Sequence, residues 1–99
     1  MKLISYKDDL LQALKDPEYA AAYLAQALES GDQEVFLLAL KDLVDAGGGA
    51  SVVARRARVR RESLRKALSN RGNPRLATLQ GILKSLGLRM AVVSEAKPA

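Results

Sequence analysis

Apolar residues recur at helical spacing along most of this chain, and turn residues separate the repeats. Ala20, Tyr23, Leu24, Ala27 and Leu28 fall at i, i+3, i+4, i+7 and i+8, the stripe of an amphipathic helix. Asp16-Pro17-Glu18 opens that helix. The Asp carboxylate accepts from free backbone N–H groups, Pro suits the first helical position, and Glu complements the positive end. Gly31 closes the helix and Asp32, with Glu34 behind it, starts another. In this second helix Phe36, Leu40, Leu43 and Val44 make the inward stripe, widened by Val35 and Leu37. Joined by Ser30-Gly31-Asp32, the two are expected to pack as an antiparallel hairpin. Gly47-Gly48-Gly49 then breaks the pattern. GGGAS lacks the Gly-Lys-Ser/Thr ending of a phosphate loop, so a helix stop and a sharp turn is the favoured reading.

Two short helical patterns follow, Ala50–Ala57 and Arg61–Ser69, with only Arg58, Val59 and Arg60 between them. Val53, Ala54, Val59, Leu64, Ala67 and Leu68 are the positions that face inward if the helices pack across a tight corner. That is the pattern of a helix-turn-helix, whose second helix enters the major groove of DNA. Asn70 to Pro74 is a turn cluster, after which Leu76, Leu79, Ile82, Leu83 and Leu86 repeat at helical spacing up to Gly87. Leu88 to Val93 reads as a short strand, which needs a partner; a symmetry-related copy would supply one. Residues 1–15 read as an arm or a short helix carrying Leu10, Leu11 and Leu14, residues 16–93 as a single helical domain, and residues 94–99 as a flexible tail. The expected fold is therefore all-α: about five helices around a central helix-turn-helix, with a short C-terminal β-strand as an optional addition.

Charge changes this picture more than composition does. Up to residue 50 there are four basic and nine acidic residues, net −5; after it, twelve basic and two acidic, net +10. Nearly everything outward on the two short helices is basic, so a polyanion is the expected partner of that half. A chain of 99 residues has room for one core, and no apolar run approaches the roughly 18 residues of a membrane span. No signal peptide is evident and there is no Cys, which fits a cytoplasmic protein. With no His and no Cys, and with carboxylates at caps and exposed faces, neither a catalytic constellation nor a metal or cofactor site is expected.

The block DPEYAAAYLAQALESGDQEVFLLALKDLVDAGGG, the helix-turn-helix and then RESLRKALSNRGNPRLATLQGILKSLGLRM together resemble the addiction-module antidote proteins. These are small bacterial antitoxins with a lambda repressor-like DNA-binding domain. The resemblance runs from about Tyr6 to Val92, and DPEYAAAYL and RGNPRLATL are its specific parts. It implies a helical protein that forms a homodimer, binds double-stranded operator DNA, represses its own operon and neutralises a RelE/ParE-like toxin from the adjacent gene. A phage-type transcriptional regulator without a toxin is the alternative, and a pure protein-interaction module is a third reading from another class. Members of the family usually carry Gly in the turn and Ser or Thr before the recognition helix. Here those positions are Arg58 and Arg60, and Arg75 stands at another such cap.

On the second helix of the motif Arg61, Glu62, Ser63 and Arg65 are the candidates for reading base edges: Arg to guanine, Glu accepting from cytosine N4, Ser to either. For Glu62, a first-turn role set by the helix dipole is an equal reading. Arg55, Arg56, Arg58, Arg60, Lys66, Arg71, Asn73, Arg75 and Thr78 are the candidates for phosphate contact, which positions without specifying. Asp32, Glu34, Asp42 and Asp45 have the charge to meet a basic toxin, although cap and surface roles are favoured for each. Tyr19, Tyr23 and Phe36 are expected in the core or at a dimer contact.

Overall fold

The computed structural model describes residues 6–95. Six helices follow one another: α1 Tyr6–Ala13, α2 Pro17–Glu29, α3 Gln33–Ala46, α4 Ala50–Ala57, α5 Arg61–Ala67 and α6 Leu76–Ser85. The first is one more than the pattern required, the helical branch of the reading of the N-terminal segment. Its closing turn brings Leu14 to 4% exposure in the core, with Leu10 packed beside it. Positions 1–5 and 96–99, parts of the expected arm and tail, lie outside the described residues.

Local chemistry sets the helix boundaries. The Asp16 carboxylate accepts from the Glu18 N–H at 3.1 Å and Asp32 from the Glu34 N–H at 2.9 Å, so both caps expected in the acidic half are formed. Helices α3, α4 and α6 all end in one way. In each, a residue with positive φ reverses the chain, its N–H bonds three residues back and the following N–H five back. At α3 and α6 the reversing residue is Gly48 or Gly87, as steric freedom demands; at α4 it is Arg58.

Helix α2 packs on α3, α1 on α3, and α4 on both α5 and α6, with a smaller α3–α4 contact joining the two halves. Leu37, Leu40, Leu43, Val44, Val53, Leu64 and Ile82 are the large side chains removed from water, and each such Leu contributes about 2 kcal/mol. The stripes were right in phase and wrong in width. Leu37 is buried where Phe36 is half-buried, while Val35, Leu28 and Leu76 stand exposed. Tyr19, expected in the core or at a dimer contact, is half in solvent.

The strand expected over Leu88–Val93 is a correction: no strand occurs among the described residues. A lone β-branched run has no second extended segment among the described residues to share a ladder, and propensity alone does not make a strand. Leu88 instead bonds from its N–H to the Leu83 carbonyl and packs against the core, and the chain beyond it leaves along the surface.

Tyr23 joins α2 to α3 by donating its hydroxyl to the Asp42 carboxylate at 2.7 Å. Burial, then the hydrogen bond to Asp42, raise the phenol from its ordinary value to about 12. Because the folded state holds this proton more tightly, the contribution to stability is complete below about pH 10 and declines as pH rises toward 12. A tyrosinate absorbance titration should show a late step near pH 12, and Tyr23→Phe should remove it. The same substitution should cost about 1 kcal/mol at neutral pH by leaving Asp42 without its donor. A late step that survives Tyr23→Phe, or its absence from the wild type, would refute the assignment.

Candidate nucleic-acid interface

Helix α5 is seven residues long and turns only one side inward. Leu64, with no exposure, and Leu68, at 8%, anchor it to the core. At 3.6 residues per turn the two are stacked on one face, which leaves Arg61, Glu62, Ser63, Arg65 and Lys66 outward, and all five are exposed. The corner before it is fixed by Arg58 at φ 58° and ψ 41° and by Val59, whose N–H bonds to the Ala54 carbonyl at 3.0 Å while its side chain packs on the core. Arg58 is the one non-glycine with positive φ among the described residues.

Two shallow depressions flank α5. One is lined by Ser63, Lys66, Arg71, Asn73, Arg75 and Thr78, so six of the expected contact residues share a single surface although they span sixteen positions of sequence. Its far wall is a rigid turn. Gly72 is buried, and a Cβ there would overlap the Ala67 carbonyl oxygen. The Gln33 side-chain amide donates to the Gly72 carbonyl at 2.8 Å, tying this turn to the start of α3. The other depression is lined by Arg61 and Arg65 together with Lys41, Ser51 and Ser69. Those last three were not legible as site residues. Lys41 lies in the acidic half of the sequence, and only the α3–α4 turn brings it beside α5. Arg55, Arg56, Arg58 and Arg60 line neither depression; they are exposed at the end of α4 and in the corner.

The helix ends facing this region differ from those of the acidic half. Arg60 and Arg75 stand at the caps of α5 and α6 in extended conformation, and neither forms a side-chain cap hydrogen bond. The first N–H groups of α5 and α6 are thus left for an outside acceptor, with a guanidinium at each end. On the opposite sign of charge, Asp32 is occupied as a cap, Asp42 by Tyr23, and Asp45 by Lys7 at 3.3 Å. Three of the four carboxylates weighed for a basic partner therefore have internal work. Among the described residues no group of three or more His, Cys, Asp or Glu is placed to hold a metal ion, and no helix is long and apolar enough to cross a membrane.

Fold and surface together define a small all-helical protein built around a helix-turn-helix with a cationic outer side. The chain belongs to the family described as probable addiction module antidote proteins, whose family model matches residues 5–94. It is also similar to a protein of Haemophilus influenzae described as uncharacterized, at 38% identity over 84 residues, covering 85% of this chain and 86% of the relative. No solved structure gives a significant match.

Proposed function

We propose that the chain is the antitoxin of a type II toxin–antitoxin module that binds duplex operator DNA through α4 and α5. As a homodimer it represses its own operon, and it neutralises a RelE/ParE-like toxin encoded beside it. Membership of an antidote family supports the partner toxin in general. The observation that carries the DNA reading is the outward side of α5: exposed Arg61, Arg65 and Lys66, held by Leu64 and flanked by Arg71, Arg75 and Lys41. Phosphates on either side of a major groove would meet the two flanking depressions while the outer side of α5 faces the base edges.

Operator fragments from upstream of the gene test this by mobility shift. With about six phosphates neutralised per dimer footprint, log affinity should fall against log salt with a slope near −5. Arg65→Ala should relax preference at one base pair and cost about 1–3 kcal/mol on the best operator, whereas Arg75→Ala should weaken all duplexes alike. Salt-independent binding, or none to any duplex, would remove the proposal in favour of a protein-interaction module. Copurification with the product of the neighbouring gene tests the antitoxin half separately; a DNA-binding chain with no such partner would be a phage-type regulator.

A further inference from the structure

The molecule carries a second surface, on the other side of α6 from α4. Helices α2 and α6 leave a trough of about 320 Å³ between them, lined by Ala21, Ala25, Leu28, Leu79 and Met90, with Phe36 at its floor. Leu28 is 63% and Met90 46% exposed although both are large and apolar, and the chain then runs on into Val92 and Val93 at 98% and 84%. Such clustering, unlike scattered surface leucines, marks a surface that is covered in use.

We infer that this trough is where a second copy of the chain docks, each copy laying its Met90–Val93 segment into the trough of the other. The signs of charge select the occupant. Arg89 is the one charged residue lining the trough, and Glu29, one turn beyond Ala25 on the same side of α2, borders it. Neither has an ion-pair partner among the described residues. A two-fold interface meets itself, so a charge within its patch is matched when the opposite sign lies at the position that exchanges with it across the axis. Glu29 of one copy facing Arg89 of the other satisfies that twice. A strongly acidic or basic partner finds only one match and one clash. Docking here also leaves the helix-turn-helix uncovered: α5 contributes nothing to the trough, while α6, packed on α4, links the two rigidly. The inference rests on the homodimer in the proposed function, and its test uses no DNA, so that failure of one is separable from failure of the other.

Sedimentation of the full chain at micromolar concentration should give twice 10.7 kDa. Leu28→Asp and Met90→Asp alter exposed positions, so helical circular dichroism should persist while dimerisation weakens about 100-fold, each lesion occurring twice at the interface. Glu29→Arg and Arg89→Glu should each weaken the dimer and together restore it. Because the chain has no Cys, copies carrying Ala25→Cys mixed with copies carrying Val92→Cys or Val93→Cys should cross-link through a short bis-maleimide into covalent pairs, whatever the aspartate variants do to folding. A monomeric wild type, a dimer indifferent to both aspartates, or no cross-linked pair from either mixture would overturn the assignment. So would a trough protected only when the toxin is present.

Discussion

Leu64→Ala should lower the stability of the whole fold by about 3 kcal/mol and, if the proposed function holds, abolish operator binding before the rest of the protein melts. The side chain has no exposure and belongs to a helix of seven residues, too short to persist in water by itself. Helix α5 is held by two anchors, Leu64 and Leu68, and loss of the deeper one leaves a cavity in the core that also contains Val53, Ala54 and Ile82. A chain of this size has about 5–15 kcal/mol in total, so the variant should remain folded at low temperature. Its midpoint in a thermal melt should fall by about 10 °C or more. Hydrogen exchange should show the amides of Arg65 to Leu68 opening first. If the variant melts like the wild type, or binds duplex normally, α5 is not held in the way described.

The second large effect has the opposite sign. Replacing Arg58 by Gly, and Arg60 and Arg75 by Ser, should stabilise the protein by about 2–3 kcal/mol, roughly 1 kcal/mol from each site. The sum falls short of full additivity because Arg58 and Arg60 are neighbours. The comparison is internal to the chain: α3 and α6 end in the same reversal with glycine, and α2 and α3 begin with carboxylate caps. Among α2 to α6, α4 and α5 alone have neither a side-chain cap nor a glycine reversal, and α6 lacks the cap but keeps its glycine. The same three substitutions remove three cations per copy, so operator affinity should fall at least about tenfold and its salt dependence should flatten. Higher melting temperature with unchanged affinity would mean that these arginines touch no phosphate. An unchanged melting temperature would mean that the left-handed Arg58 and the bare caps cost nothing.

Much of the fold was legible because the punctuation is local. Asp16-Pro17, Gly31-Asp32, the triple glycine and Arg58-Val59-Arg60 act within one turn of themselves, and each falls where a helix starts or stops. The phase of every stripe was legible too, since 3.6 residues per turn fixes which positions share a side. How wide a stripe is covered depends on the angle at which neighbours cross, which no single helix encodes. Hence Leu28 and Leu76 are exposed and Leu37 outranks Phe36 in burial. The β-branched end after Leu88 misled for a related reason: a strand is a property of two segments, and no partner strand occurs among the described residues.

By itself the sequence determined the order of the helices, the corner between α4 and α5, and a basic half whose cations project from them. Only the tertiary structure decided which cations work together. Folding the tail of α3 back onto α4, and the Gly72 turn back onto α5, sets Lys41, Arg71 and Arg75 on either side of one short helix. Those meetings join residues tens of positions apart, through contacts governed by packing and by one buried glycine rather than by any pattern along the chain.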